Sequence, residues 1–253
     1  MKKLVYIVSV FGLILIATAL FRLIFISVTP ANASKMTEKA EMNPPNFSDQ
    51  KPGETIALVL PDTEGGMPLG KALSLRRSNR RYEAQPLSIR ELSQLLWSGQ
   101  GVTNQRGFRT APSAGATFPL DLYVVVNNVN GLSKGLYQYL HNSHELKMIS
   151  NTINVDMLAR ACLGQRMISE AGAVIVFSAV FERTTTRYGE RGERYVHNEV
   201  GHASQNIHLM AASLNLGTVV VGAYRDQEVE SLLNLGEGVR VLYLMPVGKI
   251  KSQ

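Results

Sequence analysis

Three cationic side chains and a hydroxyl group lie close together in the segment RRSNR at residues 76–80, the basic segment. Arginine binds phosphate groups through paired, charge-assisted hydrogen bonds, and a serine hydroxyl adds a further donor. A basic helix end that complements the helix dipole is the simpler interpretation when the segment is taken alone. Phosphate binding is therefore indicated only if other parts of the chain supply the remainder of a ligand site.

Two other parts of the sequence have the composition of ligand-contacting segments. Residues 110–119, TAPSAGATFP, are mostly small, and small side chains allow a backbone to approach a flat ring. Residues 188–195, YGERGERY, are followed by GHASQN at residues 201–206. On a helix, spacings of four, three and four residues would place four polar side chains on one face. These side chains are Tyr195, Glu199, His202 and Asn206.

The helices and strands that must position these motifs follow from apolar periodicity, caps and turn residues. A helix is predicted over Leu69–Leu75, and a second begins at Ser88, where Glu91 completes a capping box, and ends at Gly99. The longest helical pattern covers residues 194–216. A further helix is expected over residues 228–233, strands over residues 120–126, 173–180, 217–222 and 239–247, and a hairpin over residues 135–149. Without a regular βαβ period or an internal repeat, this order predicts an α+β fold in one domain.

The N-terminal segment, residues 1–33, has the features of an export signal. Lys2 and Lys3 precede an apolar run that continues to Val28, and ANA at residues 31–33 is the small-x-small pattern of a cleavage site. The run also approaches the length that spans a bilayer, with the lysines holding its start in the cytoplasm. A signal peptide and a membrane anchor are therefore both open. Either alternative exports the protein to the periplasm or another extracytoplasmic space, free or anchored to the outer side of the cytoplasmic membrane.

A tether and one folded domain are expected after this segment. Residues 34–60 begin with a polar stretch that contains NPPN, which predicts a flexible tether. The 253-residue chain is 45% apolar and 18% charged, as is typical of a globular protein with a buried core. Residues 61–253 are therefore predicted to form the folded domain.

Composition and spacing disfavour several functional classes. The formal net charge is +6, but the basic residues are dispersed along the chain, so nucleic-acid binding is not expected. Cys162 is the single cysteine, which excludes an intrachain disulfide, and no nearby base would activate its thiol. His197, His202 and His208 are spaced so that they cannot share one helical face, and no metal site is expected.

Five motifs occur in an order that resembles the SagB-type dehydrogenases of the nitroreductase superfamily: RRSNRRY, APSAGATFPLDLYVV, RYGERGERY, GHASQN and MPVGK. Each motif alone is weakly specific, but five in order are a strong indication. The resemblance covers roughly residues 69–249. It implies a nitroreductase-like fold with a mixed or antiparallel central sheet flanked by helices. It also implies a homodimer with a long interface helix and two FMN molecules at the interface, each site assembled from both chains.

The same resemblance implies which residues contact FMN. The basic segment would contact the phosphate and ribityl groups, and the loop that begins at Pro112 would lie beside the flavin. The backbone around Gly222 would face the isoalloxazine ring, where an N–H near N5 tunes its redox behaviour. The implied FMN-binding residues are Arg76, Arg77, Ser78, Arg80, Pro112, Ser113, Ala114, Gln205, Asn206, Val221, Gly222, Ala223 and Lys249, with Lys251 completing the phosphate site.

Two departures from the family pattern bear on the mechanism. Ala116 stands where typical nitroreductases have an asparagine beside the flavin. Arg187 and Tyr188 stand where the family members that oxidise azoline rings in modified peptides have a Lys-Tyr pair, which is thought to handle the proton. Arginine does not deprotonate in proteins, whereas Tyr188 could act as an acid or base if its surroundings shifted its pKa from about 10. Arg187 and Tyr188 are the catalytic candidates, and azoline oxidation is disfavoured.

The sequence therefore predicts an FMN-dependent oxidoreductase that transfers hydride through flavin N5 and acts on a small molecule or a modified peptide. One alternative is an NAD(P)H-dependent nitro- or quinone reductase. The chain has no GxGxxG phosphate fingerprint, and an exported domain would meet little of that donor. A second alternative is a catalytically inactive flavin-binding protein, which the departures at Ala116 and Arg187 suggest.

Overall fold

The computed structural model of the protein describes residues 50–251. The expected signal peptide or anchor at residues 1–33 and the tether up to residue 49 lie outside the described residues. Within residues 50–251, no helix is both long enough and apolar enough to cross a membrane.

An eight-stranded sheet forms the centre of the domain. Its strands are β1 (Thr55–Ala57), β2 (Tyr82–Glu83), β4 (Leu120–Val126), β6 (Gly135–Leu140), β7 (Glu145–Ser150), β8 (Ala173–Val180), β9 (Leu216–Thr218) and β10 (Val239–Ile250). They run in the order β1-β7-β6-β4-β8-β10-β2, with β9 paired to β10, and every neighbouring pair is antiparallel. A small parallel sheet joins β3 (Leu87–Ser88) to β5 (Val129–Asn130). The predicted α+β fold with a mixed or antiparallel central sheet is confirmed.

Seven α-helices and one 3₁₀ turn, Ala114–Ala116, complete the described part of the chain. The helices are α1 (Leu69–Leu75), α2 (Ile89–Gln100), α3 (Val155–Ala161), α4 (Arg166–Ser169), α5 (Glu182–Tyr188), α6 (Arg191–Ser213) and α7 (Asp226–Leu233). The bounds predicted for α1 are confirmed. The capping box of α2 is also confirmed, because the Ser88 hydroxyl accepts from the Glu91 N–H and the Glu91 carboxylate accepts from the Ser88 N–H.

The central strand β8 is buried on both faces of the sheet, so it contributes to two separate cores. Alternate residues of a strand face opposite sides. Ile175 lies in a core that includes Leu92 of α2. Val174 lies in the other core, with Leu158 of α3 and Val229 of α7. Helices therefore cover both sides of the sheet, which explains the continuous apolar sequence AVIVFSAV and confirms the strand predicted there.

The folded domain begins earlier than predicted. Residues Thr55–Ala57 were expected in the flexible tether at residues 34–60, but they form β1, in which Ile56 pairs with Leu146 of β7. Leu58 is buried in the core at the end of this strand. A three-residue edge strand is too short to show a clear period in the sequence, because strands of this length offer one or two inward positions.

The segment after α6 also differs from its prediction. One strand was expected over residues 217–222, but β9 covers only Leu216–Thr218. Val221 then rejoins the sheet through an isolated bridge to Leu244 of β10. The glycine and valine residues of this segment therefore lie beside β10 without forming a continuous ladder.

A sharp turn between α5 and α6, here called the elbow, precedes the long helix. This helix was predicted over residues 194–216, but it begins three residues earlier, as α6. Gly189 adopts φ 57° and ψ −148°, a conformation that residues with a side chain disfavour, and the chain turns there from α5 into α6. A Cβ atom at Gly192 would lie 2.9 Å from the Cα atom of Thr185, so the start of α6 packs directly against α5. The two glycines of YGERGERY therefore form this elbow.

The ring of Tyr82 fixes the end of the basic motif RRSNRRY against β10. Its hydroxyl lies 2.8 Å from the carbonyl oxygen of Asn79 and 3.1 Å from that of Pro246. A Cβ atom at Gly248 would lie 2.7 Å from the Cβ and Cγ atoms of Tyr82, and one at Gly217 would lie 3.1 Å from its ring. Both glycines therefore provide the space in which the ring packs.

Replacing Gly248 with alanine should destabilise the domain by about 1–3 kcal/mol, because the added methyl group must displace the Tyr82 ring or the backbone of β10. The matched control is Gly201→Ala in α6, where no atom lies within 4 Å of the added Cβ. This control should stabilise the domain by up to about 1 kcal/mol, since alanine favours helix. Urea denaturation followed by circular dichroism would measure both changes. Equal stability of the Gly248→Ala variant and the wild type would contradict the packing.

Candidate functional site

The arginines of the basic segment have different environments. Arg77 donates to the backbone oxygens of Ser74 (3.0 Å) and Arg76 (2.7 Å) and so caps the C-terminal end of α1. Arg76 is half-buried, whereas Ser78 and Arg80 are exposed. Arg76, Ser78 and Arg80 can therefore meet an anionic ligand. Arg77 instead binds the end of α1, as expected if the segment only complements the helix dipole.

Two buried polar atoms beside this segment have no hydrogen-bond partner among the described residues: Nδ1 of His208 in α6 and Oγ1 of Thr218 in β9. The Thr218 carbonyl accepts from the N–H of Asn79 at 2.9 Å, which places it against the segment. Burial and the nearby guanidinium of Arg76 lower the pKa of His208 to about 4, so its imidazole is neutral at pH 7. Because buried polar atoms are normally satisfied, a polar ligand is a good partner for these two. Cations beside unsatisfied neutral groups fit the phosphate and hydroxyl groups of FMN.

The C-terminal lysines lie in two neighbouring environments. The ammonium group of Lys249 lies 2.5 Å from the carboxylate of Glu91, which also closes the capping box of α2. Burial alone would raise the pKa of Glu91, but hydrogen bonds from Lys249 and Ser88 outweigh it and lower the pKa. Lys251 lines a recess of about 310 Å³ that contains further cations, namely Arg80, Arg81 and Arg166. Glu170 also lines this recess and forms an ion pair with Arg166, so Arg80, Arg81 and Lys251 supply its remaining positive charge.

The small-residue loop, residues 112–118, has a strained backbone. Gly115, Ala116 and Phe118 all have positive φ angles, of 60°, 53° and 46°. Positive φ is unfavourable for alanine and is an outlier for a residue as bulky as phenylalanine. Backbone strain of this kind persists only where the surroundings enforce it, and it is common at ligand sites. Ser113 contributes to this restraint, since its hydroxyl accepts from the N–H of Phe118 at 2.9 Å.

The predicted catalytic pair contacts this loop directly. Arg187 donates to the carbonyl oxygen of Gly115 at 3.0 Å. A Cβ atom at Gly115 would lie 2.4 Å from the hydroxyl of Tyr188, so no other residue fits there without a shift. The Tyr188 ring also packs edge-on against Tyr195 of α6, with centroids 5.1 Å apart. The structure therefore brings Arg187 and Tyr188 together with the loop that contains Ser113 and Ala114.

A buried polar network under the loop was not identified as functional from the sequence. Glu199, from the polar stripe of α6, is 3% exposed, and its Oε1 atom has no hydrogen-bond partner among the described residues. Burial raises the pKa of this carboxyl group, and the nearby Ser113, Arg109 and Ala114 act in the opposite direction. Arg109 donates to Gln100 at 2.7 Å, and its guanidinium lies 4.2 Å from the centre of the Phe118 ring. A charged residue among the apolar positions of α6 was the available indication, because buried carboxylates are rare unless they are paired.

The remaining implied FMN contacts are distributed around this region. Asn206 donates to the carbonyl oxygen of Thr110 at 3.1 Å, whereas Gln205 is exposed. Gly222 and Ala223 are exposed after the bridge at Val221. Pro112, at the start of the small-residue loop, is exposed as well.

The basic segment and the small-residue loop contact different levels of α6. The start of the loop lies near Glu199 and the basic segment lies near His208, nine residues further on, which corresponds to about 13 Å along the helix axis. A groove of about 440 Å³ lies between α1, α2 and α6. Its walls include Ala72, close to the basic segment, and Thr110, at the start of the loop. The basic segment and the loop therefore lie on opposite sides of the groove. None of the hydrogen bonds described above joins them.

Comparison with known proteins places these features in a family. A family model described as the Nitroreductase family matches residues 73–249, a range that contains all five motifs of the SagB-type resemblance. A protein of Methanocaldococcus jannaschii that is provisionally named a nitroreductase is 48% identical over 197 residues, which cover 78% of this chain and 98% of that protein. The microcin B17-processing protein McbC of Escherichia coli is 28% identical over 158 residues, which cover 60% of this chain and 58% of McbC.

Solved structures agree with the fold. A provisionally assigned nitroreductase from Ralstonia eutropha is similar, with a TM-score of 0.71 at 29% identity, over 81% of this chain and 94% of that one. A chain of the Escherichia coli microcin synthetase McbBCD complex, with truncated pro-MccB17 bound, has a TM-score of 0.61 at 23% identity, over 89% and 84% of the two chains. At that identity the second similarity concerns the fold alone.

The buried imidazole of His208 should make stability depend on pH. Its folded pKa of about 4 lies below the unfolded value near 6.5, so the unfolded state binds the proton more tightly between these values. Stability should therefore fall as pH decreases from 6.5 to 4, and His208→Gln should remove about 2 kcal/mol of this pH dependence. His202→Gln, at an exposed position of the same helix, is the control. Urea denaturation at several pH values would measure the effect, and parallel pH profiles of the wild type and His208→Gln would contradict it.

Proposed function

We propose that this chain, which belongs to the nitroreductase family, is an oxidoreductase that depends on bound FMN. Family membership makes it an oxidoreductase, as the resemblance to the SagB-type dehydrogenases implied. The observation that supports FMN is the pair of buried, unsatisfied atoms, Nδ1 of His208 and Oγ1 of Thr218, beside the cations of the basic segment. One of the similar solved structures is described as an NADPH:FMN oxidoreductase from Vibrio harveyi, which supports the same cofactor class.

In this proposal, the basic segment holds the phosphate end of FMN. Arg76 and Arg80 supply the charge, and the hydroxyl of Ser78 supplies a further hydrogen bond. His208, neutral at pH 7, can donate or accept a hydrogen bond without adding charge. Lys249 reaches the same anion only if its ion pair with Glu91 opens or is shared. When bound, FMN would accept hydride at N5 and pass electrons to an acceptor.

The small-residue loop and the segment from Val221 to Ala223 are proposed to face the flavin ring. Both are lined by small residues and by exposed backbone, which suits close approach to a flat ring. Arg187, fixed on the Gly115 carbonyl, would add a permanent positive charge at the edge of this surface. Tyr188 is the candidate for proton transfer, because its hydroxyl lies against the same loop.

A homodimer is proposed because the basic segment and the small-residue loop of one chain lie on opposite sides of the groove and are not joined by any hydrogen bond described above. The loop and the basic segment lie at levels of α6 separated by about 13 Å. A second chain could place its loop opposite the basic segment of the first. Apolar surface next to the groove supports such an interface, since Leu69, Leu73 and Leu75 of α1 are all more than half exposed. The long helix α6 would then lie at the interface.

The substrate is proposed to be a small molecule in preference to a modified peptide. McbC is named as a microcin-processing protein, which supports a peptide. In this chain, however, Arg187 replaces the lysine of the azoline-oxidising members and is engaged with the Gly115 carbonyl. Arginine cannot take up a proton from a substrate. A small acceptor that takes electrons from reduced flavin needs no such base in the chain.

The response of the bound flavin to electron donors distinguishes the two alternatives to this proposal, an NAD(P)H-dependent reductase and an inactive flavin-binding protein. An NAD(P)H-dependent nitro- or quinone reductase is supported by the provisional name of the relative from Methanocaldococcus jannaschii. Anaerobic addition of NADPH to the FMN-loaded protein would bleach the flavin in that case. A catalytically inactive flavin-binding protein would retain FMN and stay unreduced with every donor.

Export remains a proposal that rests on residues 1–33. Their apolar run, leading lysines and small-x-small motif support a signal peptide or a membrane anchor. In either case FMN would be bound after transfer across the membrane if the chain crosses unfolded. N-terminal sequencing of protein recovered from fractionated cells would separate cleavage after Ala33 from retention of the segment.

Replacing both Arg76 and Arg80 with alanine should weaken FMN binding by at least about a hundredfold, because two charge-assisted contacts to one phosphate are lost. Folding should change little, since Arg80 is exposed and Arg76 is only half-buried. Arg106→Ala, which removes one positive charge at an exposed loop position, is the control for a general effect of surface charge. The measurement is flavin absorbance retained after removal of free FMN. A folded double variant that retains FMN like the wild type would refute the assignment, and a wild-type protein that retains none would refute the cofactor.

A further inference from the structure

One side of helix α5 faces the small-residue loop. Thr184 and Arg187 are three residues apart and Arg183 and Arg187 are four apart, so these three side chains share a side of the helix. Each of them forms a hydrogen bond with a residue in the range 115–118. Three contacts therefore join α5 to the loop.

The contact made by Thr184 is buried. Thr184 is fully buried, and its hydroxyl lies 2.7 Å from the hydroxyl of Thr117. The Thr117 hydroxyl also donates to the carbonyl oxygen of Ala114 at 3.0 Å. Because a hydroxyl has a single hydrogen to donate, Thr184 is the donor to Thr117. A chain of two hydrogen bonds therefore runs from α5 to the backbone at the start of the loop.

Two arginines make the other contacts between α5 and the loop. Arg187 donates to the carbonyl oxygen of Gly115 at 3.0 Å, and Arg183 donates to that of Phe118 at 3.3 Å. Both arginines are exposed, so water competes for their hydrogen bonds. A hydrogen bond away from water is electrostatically stronger. The buried hydroxyl of Thr184 is therefore expected to be the strongest of the three restraints.

We infer that Thr184 is a positioning residue, which fixes α5 to the small-residue loop and so keeps Arg187 and Tyr188 in place against it. The loop needs a restraint, because three of its residues have positive φ angles. The Tyr188 hydroxyl lies so close to Gly115 that a Cβ atom there would overlap it, so a small shift of α5 changes this contact. The contact of Thr184 with the loop does not depend on FMN, but its effect on the catalytic pair rests on the proposed function.

The test is Thr184→Val in the full chain, which keeps the shape of the side chain and removes its hydroxyl. Without FMN, hydrogen exchange at the backbone amides of Ala116 and Thr117 should become about fivefold faster, as expected when one hydrogen bond is lost. The amides of Asn127 and Asn128, beyond the opposite end of β4, bond to the Gly172 carbonyl and serve as internal references. Unchanged exchange at Ala116 and Thr117 in the folded variant would overturn the positioning role.

Two further substitutions separate the hydrogen bond from packing. Thr184→Ser removes a methyl group but keeps the hydroxyl, so exchange in the loop should stay within about twofold of the wild type. Thr186→Val makes the same replacement at an exposed position of α5 and should leave exchange unchanged. If Thr184→Ser accelerates exchange as much as Thr184→Val does, packing holds the loop and the inference fails.

A variant on the loop side guards against a folding defect at the buried position. Thr117→Val removes the acceptor of the Thr184 hydroxyl and should also accelerate exchange at Ala116. Adding Thr184→Val to Thr117→Val should change exchange little further, since two partners of one contact are not additive. Effects that multiply fully would show that the two hydroxyls act separately and would overturn the inference.

Reoxidation of the bound flavin tests the effect on the catalytic pair. After reduction of FMN with dithionite, anaerobic reoxidation by nitrofurazone should be at least about tenfold slower in Thr184→Val, because a small misplacement of reacting groups slows a reaction strongly. FMN affinity should change less than about threefold, since the basic segment is proposed to hold the phosphate end. Thr186→Val should match the wild type in both measurements.

The outcomes distinguish the inference from the proposed function. Faster loop exchange with an unchanged rate of reoxidation would overturn the link between Thr184 and the catalytic pair. A wild-type protein that binds no FMN, or whose reduced FMN does not react with nitrofurazone, would contradict the proposed function. The exchange measurements would still decide whether Thr184 fixes α5 to the loop.

Discussion

The long helix α6 both packs against the sheet and carries polar groups of the candidate site. Val200 and Ile207 bury one face of it against the sheet. The adjoining polar positions hold the candidate site, with Glu199 under the small-residue loop and His208 beside the basic segment. Because a helix repeats every 3.6 residues, these polar groups lie partly within the buried stripe. The site is therefore built from groups whose burial costs stability, and Nδ1 of His208 and Oε1 of Glu199 have no hydrogen-bond partner among the described residues that would offset this cost.

Close packing determines how the other elements meet this helix. The basic segment reaches α6 because the Tyr82 ring anchors its end on β10, in space left by Gly217 and Gly248. The turn at Gly189 sends the chain from α5 directly into α6, so that Arg187 and Tyr188 lie against the small-residue loop. Loop and basic segment are thus positioned by rigid contacts, as expected for a site that works by preorganisation.

Sequence reasoning located the elements whose determinants are local. The capping box at Ser88 and the continuous apolar run of β8 were both predicted, because each depends on neighbours in the chain. The elbow between α5 and α6 and the edge strand β1 were not predicted, since they depend on the packing of Gly192 against Thr185 and on the pairing of β1 with β7. The basic segment and the loop were identified from their composition, and the family resemblance supplied the role expected for them in FMN binding. Glu199 was placed on a polar stripe, but its burial near Ser113 depends on a loop far away in the chain.

Arg187 indicates the kind of chemistry that this arrangement can support. Its guanidinium is fixed on the Gly115 carbonyl and lies 5.4 Å from the centre of the Tyr188 ring. A group that stays protonated can stabilise negative charge that develops nearby, but it cannot accept a proton from a substrate. Arg187 therefore cannot support a reaction that requires a strong base at this position. It can support hydride transfer to an acceptor, because the acceptor becomes more negative as it is reduced. On the proposed function, this asymmetry favours reduction of a small acceptor over oxidation of a peptide ring.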